Sequence, residues 1–107
     1  MRLSEAIRLG ALLRPQAFRR LHHEGGSCAL GAALDAIGVS DRDSFQQGLS
    51  LFQGASAIGR VVCPQCPWPL SSQGACLDGV IVHLNDWHTW SRERIADWVE
   101  TIEGDAI

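Results

Sequence analysis

The feature that most restricts how this chain can fold is a spaced set of four side chains, Cys63, Cys66, His83 and His88, in the pattern C-x(2)-C-x(16)-H-x(4)-H. Two thiolates separated by two residues can grip one tetrahedral ion from a tight backbone knuckle, and two imidazoles can complete the shell. Such a shell pins the Cys63–Cys66 turn against whatever element carries the histidines. The segment between, from Pro64 to Gly74, holds three prolines, paired serines and a glycine, so it reads as turn and loop with little ability to pack a core. The donor set suits zinc, and four protein ligands leave no open position for water or substrate. A structural site is expected, its binding energy serving as folding energy.

Helical geometry bears on the choice of ligands. Residues five apart on a regular helix are turned by about 140° and rise roughly 7.5 Å, so both imidazoles reach one ion only if the helix end loosens. Asn85 and Asp86, weak helix formers, stand where that loosening is needed. Cys76 is the alternative metal ligand, giving C-x(2)-C-x(9)-C-x(6)-H. If 76–83 is helical, however, Cys76 and His83 stand about 10 Å apart along the axis, too far for zinc bonds of roughly 2.0–2.3 Å. Cys76 is then expected as a small buried hydrophobe near the site. The same C-x-x-C also suits a redox pair.

Residues 61–88 resemble a two-cysteine, two-histidine zinc finger, in which a knuckle supplies the thiolates and a helix both imidazoles. The histidine spacing fits, and Leu77 matches the apolar position six residues before the first histidine. The middle spacer is longer than the usual length of about twelve. Base-reading fingers display basic or polar groups on the helix, whereas no arginine or lysine lies between Val61 and Ser91, and Asp78 and Asp86 are acidic. The resemblance therefore implies metal binding without base reading. A wider resemblance joins Cys28-Ala29-Leu30-Gly31, Leu84-Asn85-Asp86 and Glu93 to Trp98 to small uncharacterised bacterial and phage proteins with a C-L-G…L-N-D…E-I-A-D pattern. It implies a phage or prophage connection, but no activity.

Around the knuckle the periodicity is helical. Leu3, Ile7 and Ala11 predict a first helix with Ser4 as its cap, and Pro15 opens a second short helix carrying Phe18 and Leu21 toward His22-His23 and Gly25-Gly26. Ser27 is the expected cap of a central, small-residue helix bearing Leu30, Ala33, Leu34 and Ile37, ended by Gly38. A fourth begins at the Ser40–Asp43 cap region, with Phe45, Gly48, Leu49 and Phe52 inward, and ends at Gly54. Leu77, Val80, Ile81 and Leu84 mark a fifth. Ser91 caps a sixth with Ile95, Trp98, Val99 and Ile102 buried and Trp90 stapled onto Ile95. The fold class is mainly α, with a small α+β character possible. The 107 residues are expected as one compact domain with the zinc module at about 61–90 embedded in it.

Charge divides the chain. Residues 1–24 carry five arginines against two glutamates, a local +3; residues 63–107 carry seven acidic groups against two arginines, a local −5. No stretch is apolar enough to span a bilayer, so no membrane is expected. The chain is placed in the cytoplasm (or a virion), where thiols stay reduced. The leading expectation is a non-enzymatic structural or protein-interaction module. Its partner is another protein or a second copy, met through Trp68, Trp87 or Trp90 where these prove exposed, although core packing is expected for at least two of them. A nucleic-acid-associated regulator using Arg14, Arg19 and Arg20 is the second reading. The third is a cysteine hydrolase: Cys28 is a possible nucleophile at a helix N-terminus, where the dipole lowers a thiol's pKa, with His83 and Asn85 or Asp86 as partners.

Overall fold

Leu3, Ala6, Ile7 and Gly10 recur at i, i+3, i+4 and i+7, and Leu3–Ala11 is helical, α1, with those four buried. The structure, a computed structural model, describes residues 1–69 and 74–106, with no side-chain description for 44–46, 105 and 106. Among the described residues the chain continues through β1 (His22–His23), β2 (Gly26–Ser27), α2 (Ala29–Ile37), α3 (Asp41–Gln47), α4 (Leu77–Asp86) and α5 (Arg92–Ala106). The fold is mainly α, with a two-stranded antiparallel sheet pairing His22 with Ser27 and His23 with Gly26.

α2 is central, as its composition predicts. Ala29, Ala32 and Ala33 are fully buried, and the helix packs against α1 on one side and α4 on another. Small residues let the backbones approach: a Cβ at Gly10 of α1 would run into the Ala32 carbonyl, and one at Gly31 into the Leu21 carbonyl. Gly38 closes α2 in the left-handed conformation at φ 70°. α5 lies across α1, and Ile95, Ala96 and Val99 join Leu3, Ile7, Leu77, Val80, Ile81 and Leu84 in one apolar cluster.

Several sequence expectations change. No helix follows Pro15. The Ala17 N–H donates to the Ser27 carbonyl (2.8 Å) and the Ser27 N–H to the Pro15 carbonyl (2.9 Å), so this backbone is spent on β2. His22 and His23 stand in a hairpin whose turn, Glu24-Gly25, has positive φ at both residues. The residue capping α2 is Cys28, whose sulfur accepts the Gly31 N–H (3.4 Å), and not Ser27. The cap of α1 is Arg2, with no side-chain bond. Ser4 lies inside the helix, where its N–H and hydroxyl both donate to the buried carboxylate of Glu103. α3 stops at Gln47 because Gly48 takes φ 53° and turns the chain into a short 3₁₀ segment, Gly48–Leu51. Phe52 is buried as expected, while the side chain of Phe45 lies outside the described residues. At the last helix, the Ser91 hydroxyl accepts the Arg94 N–H (3.1 Å), as expected of a cap.

Candidate metal centre

The knuckle begins where Val61 meets Ala75. Each N–H donates to the other's carbonyl (2.8 and 2.7 Å), closing the base of the intervening loop. Residues 70–73, within the expected loop, lie outside the described residues. Above that base the Cys63 N–H donates to the Trp68 carbonyl (3.0 Å), and the Gln65 N–H points at the Cys63 sulfur (3.4 Å). The backbone thus folds back on itself within six residues and turns both sulfurs to one side.

Opposite stands the end of α4. Its interior is set by Leu77, Val80, Ile81 and Leu84, which point His83 away from the core toward the knuckle. The expected loosening occurs, but later than Asn85-Asp86, which are still helical. It falls at Trp87–Thr89: the His88 N–H reaches the His83 carbonyl (3.3 Å), the Trp90 N–H reaches the Leu84 carbonyl (3.0 Å), and Thr89 takes φ 52°. That wide turn brings the His88 ring back beside His83.

One potential ligand atom from each of Cys63, Cys66, His83 and His88 lies within 4.8 Å of all the others. The Cys66 sulfur is 3.3 Å from Nε2 of both histidines. A tetrahedral zinc with bonds of roughly 2.0–2.3 Å separates sulfur and nitrogen by about 3.5 Å, so the spacing matches a four-coordinate shell. Burial lowers the His83 pKa, and neighbouring His88 lowers it further. Both effects favour the neutral imidazole that a metal requires. Cys63 is buried and the other three are half-buried. Comparison with protein-family models, curated proteins and solved structures finds no match.

Cys76 stays out of this group. It is exposed and caps the start of α4, seven residues and two helical turns from His83, so it is neither a fifth donor nor the expected buried hydrophobe. Cys28 lies elsewhere, buried at the head of α2. The dipole effect expected there is outweighed: burial raises the thiol's pKa, with the backbone hydrogen bonds of Gly31 and Leu30 opposing it only in part. Of the residues grouped with Cys28 in the hydrolase reading, Asn85 and Asp86 lie near it and His83 does not. His83 faces Cys66, while Asn85, fully buried, accepts the Ala29 N–H (3.2 Å) and the Gln16 amide (3.0 Å) and donates to the Ala17 carbonyl (3.0 Å) and to Asp86 (2.8 Å).

Sequence reasoning missed three supporting groups. The Trp68 ring stacks on His83, with centroids 4.4 Å apart and planes within 10°. Gln65 accepts the indole N–H of Trp90, tying the knuckle to the approach to α5. Arg92, at the first position of α5, is buried and donates to the Ser27 hydroxyl and carbonyl and to the Ala11 and Arg14 carbonyls (2.7–3.4 Å). A cation opening a helix opposes the macrodipole, which was the one available hint of such a role. Of the three tryptophans named as contact residues, core packing, expected for at least two, holds only for Trp90, at 8% exposure, while Trp68 and Trp87 reach the surface at 38% and 78%.

Proposed function

We propose that this is a small zinc-binding domain in which one ion, held by Cys63, Cys66, His83 and His88, staples the 61–75 loop to the end of α4, and that the stapled unit serves as a binding module rather than a catalyst. The convergence of two sulfurs and two imidazole nitrogens from separate elements within 4.8 Å carries this reading. Thiolate with imidazole in a compact four-donor group favours zinc over the oxygen-seeking calcium or magnesium. With every coordination position supplied by the protein, the ion has no vacant site at which to activate water.

The physical need for a staple is local. Between Val61 and Ala75 the only buried apolar side chain among the described residues is Cys63, so this loop contributes little to the core on its own. Metal affinity supplies the missing stabilisation. The reading also requires reduced thiols, consistent with a cytoplasmic setting. Elemental analysis of purified protein is expected to give one zinc per chain, retained in Cys76→Ser and lost in Cys66→Ser. Equal zinc content in all three proteins would contradict the assignment.

A further inference from the structure

Two exposed patches meet at one carboxylate. The first is aromatic. The rings of Trp68 and Trp87 each lie within 10° of the His83 plane, at centroid separations of 4.4 and 6.4 Å, and Trp87 is 78% exposed. The second is the exposed turn Phe18-Arg19-Arg20. Arg19 has φ 70°, unusual for a residue with a side chain, and its N–H donates to Asp86 Oδ1 (2.8 Å), one residue before Trp87. Far apart in sequence, the basic turn and the aromatic stack are thus neighbours at the end of α4.

The guanidinium groups there are uncommitted. Arg8 is held by Asp97 and Glu100, Arg14 by Asp35, Arg60 and Arg92 by carbonyls, and Arg94 lies 3.8 Å over the Trp90 ring. Among the described residues, the side chains of Arg19 and Arg20 have no hydrogen bond or ion pair. Asp86, between the two patches, is already engaged by the Arg19 N–H and the Asn85 amide.

We propose that the Trp68–His83–Trp87 stack and the Arg19-Arg20 turn together form a binding surface for single-stranded nucleic acid. Unpaired bases stack on exposed aromatic faces while phosphates meet cations, and alternation of these two chemistries matches a single strand. A duplex hides its base faces and is read in its grooves by basic or polar groups, which α4 lacks: its charged residues are Asp78 and Asp86. A second copy docking through the same patch across a two-fold axis would bring the free arginines of both chains together. The inference rests on the binding-module reading above and uses the module's surface, not its ion.

The test is fluorescence anisotropy of a labelled oligothymidylate of about twelve nucleotides, titrated at low salt with the full chain, with zinc content measured on every sample. Saturable binding is expected, weaker by about ten-fold in Trp87→Ala, the loss of one stacked base. In Arg19→Asn with Arg20→Ser, Asn being chosen because it tolerates positive φ, the slope of log affinity against log salt should become shallower by about 1.4. All variant positions are exposed, and circular dichroism checks that each folds. A zinc-loaded protein that ignores the oligonucleotide, or variants that bind like the parent, would overturn the surface while leaving the metal site intact. Equal affinity for a duplex would overturn it too, as would an arginine-rich peptide that quenches tryptophan fluorescence where oligothymidylate does not. Strand binding by protein without zinc would support the surface and leave the metal assignment to the elemental analysis.

Discussion

Cys28 and Cys76 hold the same position in two helices, yet their thiols have opposite surroundings. Each caps a helix N-terminus, where the dipole favours a thiolate, but Cys28 is buried and Cys76 is exposed. Alkylation followed by peptide mass mapping is therefore expected to label Cys76 first and Cys28 slowly at neutral pH. Cys63 and Cys66 should react only after chelation. Rapid modification of Cys28 would revive a nucleophilic role for it. His83 offers a second residue-level prediction. Its folded pKa lies below the ordinary 6.5, so as pH falls from that value toward the lowered one the unfolded chain takes up a proton that the native chain refuses. Metal-free protein should lose stability across that window and show no such dependence above it. Thermal melts at stepped pH, with His83→Gln expected to flatten the curve, check the sign.

Whole elements are held by polar anchors as much as by apolar stripes. Asn85 alone joins α4 to the head of α2 and to the segment at Gln16-Ala17, with all its bonds made inside the protein. Asn85→Ala leaves several buried groups unpaired and is expected to cost about 3 kcal/mol in denaturant unfolding. The α1–α2 contact depends instead on absence of bulk. Gly10→Ala places a methyl against the Ala32 carbonyl, so the helices must separate, at a cost on the order of 3 kcal/mol. An unchanged denaturation midpoint in either variant would mean that the contact yields without loss. Apolar residues spaced three and four apart made α1, α2, α4 and α5 legible in the sequence. The segment after Pro15 was misread because Phe18 and Leu21 fit helical spacing. Its backbone is instead claimed by Ser27 and, more than sixty residues away, by Asn85 at the Ala17 carbonyl and Asp86 at the Arg19 N–H.

At the scale of the molecule, α1, α2, α4 and α5 share one apolar core that Cys63, alone of the four candidate ligands, enters as a buried residue, while the knuckle is attached through its base, through Gln65 and through the four candidate ligands. Chelation should therefore lower the melting temperature without abolishing the helical circular dichroism signal. At a free zinc concentration a thousand times the dissociation constant, linkage gives about 4 kcal/mol, a shift on the order of 20 °C for a chain this small. A chelated sample that melts like the loaded one would deny the ion a structural role. No helix among the described residues is long and apolar enough to cross a membrane. The basic N-terminal region is partly neutralised within the fold, Arg8 by α5 and Arg14 by α2, which leaves Arg2 and the Arg19-Arg20 turn, the latter next to α4.

Residue types and spacings by themselves determined the four candidate ligands, the burial faces of the main helices and the stop at Gly38. Those depend on periodicity and donor chemistry, which are local. Only the tertiary structure decided that Thr89 would bend His88 back to His83, that Trp68 would cover the imidazole, and that a cation at the start of α5 would gather carbonyls from the other end of the chain. Each of these depends on groups distant in sequence competing for the same hydrogen bonds and the same space, and no spacing within one segment records the winner.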